Sequence, residues 1–342
     1  MSLVHVAPAP RPNADRKLPG LSRRNLLLAA STALPWSLVR AQDNYPSRPI
    51  KLIVAFTPGS IGDLFMRHVT QRMVSQLGQP IVIENRPGAS QLIGGELAAR
   101  APADGYTLFM GTQSGLVLNS IARKKMPYDP IKDFTPITML FAAPMYLYTN
   151  PSLAAKNVPE LIALAKARPG QLTFASIGPG TSSHILGEMF KSMAGVDMLH
   201  VPFKGGPEAT NALVSGQVDL FFNGANTMPQ VKQGKVRVIA SAGLKRTEEH
   251  PELATVAEQA GLKEFEVLPW FGLFAPAGLP RPLVEKLNRE FTAQLKSQVI
   301  KEKAAQMGIE VMTSTPEGLA TQLKNEFPLM TQVMRKAGIE PE

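Results

Sequence analysis

From Ile50 onward, short apolar runs alternate with longer stretches whose apolar residues recur every three or four positions, the pattern of successive β/α units. Ile50 to Phe56 is a buried-strand run, stopped by Pro58-Gly59-Ser60-Ile61-Gly62. A helix is predicted from Asp63: Leu64, Phe65, Val69, Met73 and Leu77 share one face, Arg67, Gln71 and Arg72 lie outside it, and Gly78 ends it. Pro80 to Glu84 reads as a second strand closed by Asn85-Arg86-Pro87-Gly88, Gly94 to Ala101 as a helix, and Tyr106 to Gly111 as a third strand.

A second series begins with Met145 to Thr149 and continues with a helix over 158–167 and a strand over 172–175. The loop from Ser176 to Ser183 opens a helix running to Met193; a strand over 199–203, a helix over 208–216 and strands over 218–222 and 236–242 follow. Trp270 to Ala275 reads as a crossover, followed by helices from Pro282 and Pro316. Contiguous lobes fit this order, but a middle lobe inserted into a first one is preferred: 42–144 with 271–342, and 145–270.

Residues 1–41 read as an address and not as part of the fold. Ser22-Arg23-Arg24-Asn25-Leu26-Leu27-Leu28 leads into an apolar stretch ending at Leu38, too short to cross a ~30 Å hydrocarbon core. Val39-Arg40-Ala41 is a small-x-small cleavage pattern, which predicts a mature chain starting at Gln42 in the periplasm. The arginine pair resembles a twin-arginine signal, with a general secretory signal as the alternative. This segment also holds six of the 36 bases and one of the 27 acids, so the remainder carries a net charge of +4 instead of +9. With no basic run longer than Arg123-Lys124-Lys125 and few aromatics, a nucleic-acid partner is not expected. The absence of cysteine excludes disulfides, thiol nucleophiles and Cys-ligated metals. The five histidines show no metal-ligand spacing, and neither a cofactor nor a metal is expected.

Two loops carry the chemistry. Pro58 to Gly62 places free backbone N–H groups at a helix start, which favours an anion, although a turn needing positive φ would look the same. Ser176 to His184 adds two glycines and several hydroxyls at another helix start. Enzyme motifs fail: Ser183 stands where G-x-G-x-x-G needs its third glycine, and Phe174 where a nucleophile elbow needs glycine. Asp63 reads as a helix-start residue complementing the dipole, and His184 as one that bonds locally.

Several segments then become specific: Tyr45-Pro46-Ser47-Arg48-Pro49-Ile50, Glu84-Asn85-Arg86-Pro87-Gly88-Ala89, Ala103-Asp104-Gly105-Tyr106-Thr107-Leu108, and Tyr128-Asp129-Pro130 with Lys132-Asp133-Phe134. Gly180-Thr181-Ser182-Ser183-His184, His200-Val201-Pro202-Phe203-Lys204-Gly205 and Trp270-Phe271-Gly272-Leu273-Phe274-Ala275-Pro276 follow in order. The chain from about Tyr45 to Ile339 resembles the Bug family, the receptor components of tripartite tricarboxylate transporters. The resemblance implies an α/β, type II periplasmic binding fold: two lobes, a two-strand hinge and a ligand cleft. It implies a monomeric receptor, not an enzyme, that passes a small carboxylate to a tripartite permease, or alternatively docks on a periplasmic sensor. The candidate ligand-binding residues are Phe56, Thr57, Gly59, Ser60, Ile61, Gly62, Asp63 and Thr112, then Ser176, Gly178, Gly180, Thr181, Ser182, Ser183, His184, Phe203, Lys204 and Asn223. The family usually reads P-G-G-x-x-D, often with Thr before Asp, and often has Asp at the position of Asn223. Ile61, Gly62 and Asn223 depart from this and point toward a less polar carboxylate, such as an aromatic or vitamin-like acid.

Overall fold

The structure is a computed structural model that describes residues 45–341 except 248 and 337; the expected export signal lies outside the described residues. Two sheets organise it. The first has the order β11-β4-β10-β3-β1-β2 and comprises β1 (Ile50–Val54), β2 (Ile81–Asn85), β3 (Thr107–Thr112), β4 (Phe134–Ala142), β10 (Trp270–Pro276) and β11 (Glu310–Val311). The second has the order β7-β6-β8-β5-β9 and comprises β5 (Met145–Thr149), β6 (Thr173–Ser176), β7 (Leu199–Pro202), β8 (Leu220–Gly224) and β9 (Arg237–Ser241). In each sheet three strands run parallel, and the strands that carry the chain between sheets join antiparallel to them. This is the expected two-lobed α/β architecture.

Helices cover the sheets because each has one apolar face. The longer ones are α1 (Ile61–Leu77), α2 (Leu92–Ala99), α3 (Val158–Ala167), α4 (Ser182–Ala194), α5 (Gly206–Ser215), α6 (Arg281–Leu295), α7 (Gln298–Gln306) and α8 (Pro316–Lys336). In α1, Phe65, Met66, Val69, Met73 and Leu77 are buried, and Gly78 caps the helix in the left-handed region at φ 72°. The predicted face is thereby confirmed except for Leu64, which is exposed. None of the helices among the described residues is long and apolar enough to cross a membrane.

Two sequence expectations need correction. The nine-residue β4 was not foreseen, because Pro136 interrupts a run that otherwise reads as strand. The sheet accommodates it at a register irregularity, where Pro136 faces Phe274 of β10. Trp270, expected to end the second lobe, instead opens β10 in the first sheet. The chain crosses between sheets at Ala143-Pro144 and again at Pro269, and the crossings are tied by Ala143 N–H donating to the Pro269 carbonyl at 2.9 Å.

α4 packs on β6 through Gly187, where an added Cβ would overlap the Phe174 ring. Alanine is the better helix former by about 1 kcal/mol, yet overpacking costs about 1–3 kcal/mol. With direct ring overlap the packing cost prevails. Gly187→Ala is expected to lower stability by about 1–2 kcal/mol in denaturant unfolding, and adding Phe174→Leu should recover part of the loss.

Candidate functional site

The first loop is built by a buried carboxylate. Ser60 caps α1, its Oγ accepting from the Asp63 N–H at 3.4 Å. Asp63, 1 % exposed, accepts from the Gly59 N–H at 2.9 Å, from Asn85 Nδ2 at 2.9 Å and from Arg67 Nε at 3.2 Å. Burial alone would raise its pKa, but these hydrogen bonds and the Arg67 charge outweigh burial and hold it below the ordinary carboxylate range. Asp63 and Gly59 therefore shape the loop from behind. Ser60, Ile61 and Gly62 face the space between the lobes. An added side chain at Gly62 would meet Met110 Cε at 2.7 Å and Phe271 Cε1 at 3.5 Å, which makes this stretch of wall apolar.

The second loop spends most of its polar groups on itself. Ser176 Oγ lies 2.6 Å from His200 Nε2 and accepts from the Gly178 N–H at 3.0 Å. Thr181 was expected to donate to a ligand; its hydroxyl instead donates to the Gly178 carbonyl at 2.6 Å. His184 bonds locally, its Nδ1 accepting from the Gly180 N–H at 3.2 Å. Ser183 Oγ accepts from Ile177 N–H at 3.1 Å, so Ile177, Ser182 and Ser183 are presented outward at the start of α4. The His184 and His200 rings lie tilted against each other with centroids 4.3 Å apart. Burial first, then the Lys191 charge for His184 and the neighbouring His184 for His200, pushes each imidazole down to about 4. Both are neutral at ordinary pH, which suits His200 as the partner of Ser176.

A cavity of about 70 Å3 lies between the two loops against the hinge. Of the expected residues, Phe56, Ser60, Ile61, Gly62, Thr112, Ser182, Ser183 and Asn223 line it. Thr57, Gly59, Asp63, Ser176, Gly178, Gly180, Thr181, His184, Phe203 and Lys204 do not. Phe203 packs on the core of the second sheet and Lys204 is exposed. The sequence reading missed Gln91, Ser114, Ala143, Met145, Ile177, Gly206, Gly224, Asn226, Pro269 and Phe271. The crossings were a usable signal for Ala143, Met145, Pro269 and Phe271. Charged side chains are absent from the lining. A larger groove of about 720 Å3 lies across the hinge, lined by Lys245, Arg246 and Lys301 with Glu249, Glu266 and Glu310. Its walls include neither of the anion-friendly helix starts, so the smaller cavity is the better site.

The lobes meet around this cavity. Ser114 Oγ accepts from the Ser182 N–H at 3.1 Å and lies 3.0 Å from Ser182 Oγ. A Cβ on Gly178 would stand 2.6 Å from Ser90 Oγ, one on Gly180 2.6 Å from Asn119 Oδ1, and one on Gly205 2.6 Å from Thr57 Oγ1. Behind the wall, Glu326 of α8 accepts from both Gln113 Nε2 and Trp270 Nε1, so one buried carboxyl ties the loop after β3 to the first residue of β10. Burial outweighs those two bonds and raises its pKa.

Residues 65–339 match the family described as the tripartite tricarboxylate transporter family receptor. The chain belongs to that family. BugT of Bordetella pertussis (strain Tohama I) is 33 % identical to this receptor over 298 residues, covering 86 % of this chain and 91 % of BugT. The structure of R. palustris Rpa4515 with adipate is similar at a TM-score of 0.84 and 33 % identity, covering 87 % of this receptor and 100 % of that chain. MatC from Rhodopseudomonas palustris with bound malate is similar at 0.79 and 32 % identity, covering 84 % and 99 %. The tripartite tricarboxylate receptors are solute-binding proteins, and the two-lobed fold of this receptor is that of periplasmic binding proteins.

Two outcomes follow for the receptor. His184 and His200 stay unprotonated down to about pH 4 when folded, whereas an unfolded histidine binds a proton near pH 6.5. The unfolded state then binds more protons, so their contribution is complete above about pH 6.5 and is lost as pH falls toward 4. The loss at pH 5 should be on the order of 2 kcal/mol for the pair, allowing for solvent screening at His200. Melting midpoints measured from pH 7.5 to pH 4.5 should fall less steeply in the His184→Gln/His200→Gln variant. The second outcome concerns lobe contact. Gly205 has extended backbone (φ −174°), which alanine adopts freely, so Gly205→Ala is strained only where it meets Thr57. Overpacking of about 1–3 kcal/mol at this lobe contact predicts at least a fivefold loss of ligand affinity. Adding Thr57→Ala should restore affinity; calorimetric titration of both variants decides.

Proposed function

We propose that this chain is an extracytoplasmic solute receptor that closes on one small carboxylate and delivers it to a tripartite tricarboxylate-type permease. The observation that carries the reading is the uncharged cavity flanked by two helix starts, α1 at Ser60-Ile61-Gly62 and α4 at Ser182-Ser183, one from each lobe. The first N–H groups of a helix have no acceptor within it, and the dipole places partial positive charge there. The Ser60 and Ser182 N–H groups are already bonded. With no lysine or arginine in the lining, the amides of Ile61, Gly62 and Ser183 and the nearby hydroxyls are what can hold an anion.

The relatives with adipate and malate support the chemical class, and family membership supports the permease. The apolar patches of Phe56, Phe271, Ile61, Ile177 and Pro269 would enclose the body of the ligand. Because they come from both lobes, binding draws the lobes together, and a closed receptor differs in outline from an open one. That difference is what a membrane partner can read. An exported mature chain beginning at Gln42 fits this role.

A thermal-shift screen of short carboxylic acids tests it. An acid present at a hundred times its dissociation constant stabilises the native state by about 2.7 kcal/mol. The methyl ester of each binding acid should give no shift, and the acid should be recovered unchanged after incubation. Esters that bind as well as acids, or a chemically altered acid, would refute the reading. In cells, deleting the receptor should abolish uptake of the same acid.

A further inference from the structure

Among the described residues, three non-glycine residues take a positive φ, and they are consecutive: Ala89 at 46°, Ser90 at 53° and Gln91 at 81°. Side chains disfavour this region, so the segment persists because its surroundings hold it there. Asn119 Nδ2 donates to the Ser90 carbonyl at 2.8 Å, and the Gln91 N–H donates to the Gly88 carbonyl at 3.0 Å. Ser90 lies where Gly178 of the other lobe approaches. The result is that Gln91 turns inward, 5 % exposed, on the cavity wall.

The neighbours fix how its carboxamide is oriented. The Gly115 N–H donates to Thr112 Oγ1 at 2.9 Å, and the Thr112 hydroxyl in turn donates to Gln91 Oε1 at 2.5 Å. Gln91 Nε2 is left buried with no partner. On the other lobe Asn226 Oδ1, lining the same cavity, is also buried and unpartnered. Groups of this kind are costly when unmet, and a ligand that meets them is preferred over one that does not.

We propose that Gln91 and Asn226 set the ligand class: an acid whose body carries an uncharged hydroxyl or carboxamide, which accepts from Gln91 Nε2 and donates to Asn226 Oδ1. This rests on the carboxylate reading, with the ionised end at the helix starts. An ammonium group would face the Gln91 N–H and find no acidic side chain in the lining. A second carboxylate has no proton for Asn226 and no cation to offset its charge. A plain alkyl chain leaves both groups unmet. Sites built to bond a polar group reject analogues lacking it far more strongly than apolar pockets reject a missing methylene.

The experiment is calorimetric titration of the mature protein with two matched sets. One is succinamate, γ-hydroxybutyrate, succinate, γ-aminobutyrate and butyrate; the other is adipamate, adipate and hexanoate. Within the set whose length fits, the amide or hydroxy acid should bind about tenfold or more tighter than the diacid, amino acid or alkyl acid. Gln91→Met should remove that advantage while butyrate or hexanoate binding persists. Asn226→Asp, which leaves the strained segment untouched, should move the preference toward γ-aminobutyrate. A parent protein that binds the diacid or amino acid most tightly overturns the proposal, as does an unchanged order in variants that melt like the parent. If no acid of either set binds while another acid in the thermal-shift screen does, this proposal falls and the carboxylate reading stands; if no acid binds in either experiment, both fail.

Discussion

Close backbone approaches join the lobes beside the cleft, and the cleft depends on them. Gly178, Gly180 and Gly205 each approach a first-lobe side chain so closely that a single methyl would collide, with Ser90, Asn119 and Thr57 on the other side. Gly308 does the same in reverse, where a Cβ would stand 2.5 Å from Ala225 of the second lobe. Packed interfaces of this kind admit two discrete arrangements more readily than a continuum, because a van der Waals contact is either made or lost over a few tenths of an ångström. The small volume left between the loops follows from the same approach.

Around that contact, charge is kept behind the walls. Asp63 is neutralised by Arg67 and two further donors, and the paired imidazoles of His184 and His200 are held uncharged. The lining itself offers hydroxyls, amides, aromatic rings and aliphatic chains. A site assembled this way attracts an anion through fixed dipoles already pointing at it, with no side-chain charge that must be stripped of water when the cleft closes. Specificity then falls to uncharged donors and acceptors, whose number and direction are set by backbone geometry.

Much of this was legible from periodicity, and the exceptions have physical causes. The first helix, read from Asp63 and found over 61–77, the helix over 158–167 and the strand over 145–149 were readable because each has a strong apolar pattern and a clear stop. β4 was hidden by Pro136, whose accommodation depends on a partner strand more than a hundred residues later. Glycines and helix starts marked both loops in the sequence, but not which hydroxyls face inward: Thr181 and Ser182 are adjacent, and only the turn of the helix start separates them. Gln91 left no sequence signal, because what makes it matter is a left-handed backbone that nothing in Ala89-Ser90-Gln91 favours by composition.

The order of strands in the first sheet has a consequence for how the chain folds as it is made. β10 lies between β3 and β4, so the N-terminal strands form an incomplete sheet until residues 270–276 are available. The second sheet draws only on residues 145–241 and needs nothing from either end. The insert can therefore form its core first, while the earlier segment waits with an unpaired edge on β3. That edge is where non-native pairing would begin, and the long wait for its partner is the entropic cost that slows folding of high-contact-order sheets. On this plan the cavity between the loops, which draws on both lobes, can be complete only after residues 270–276 have joined the first sheet.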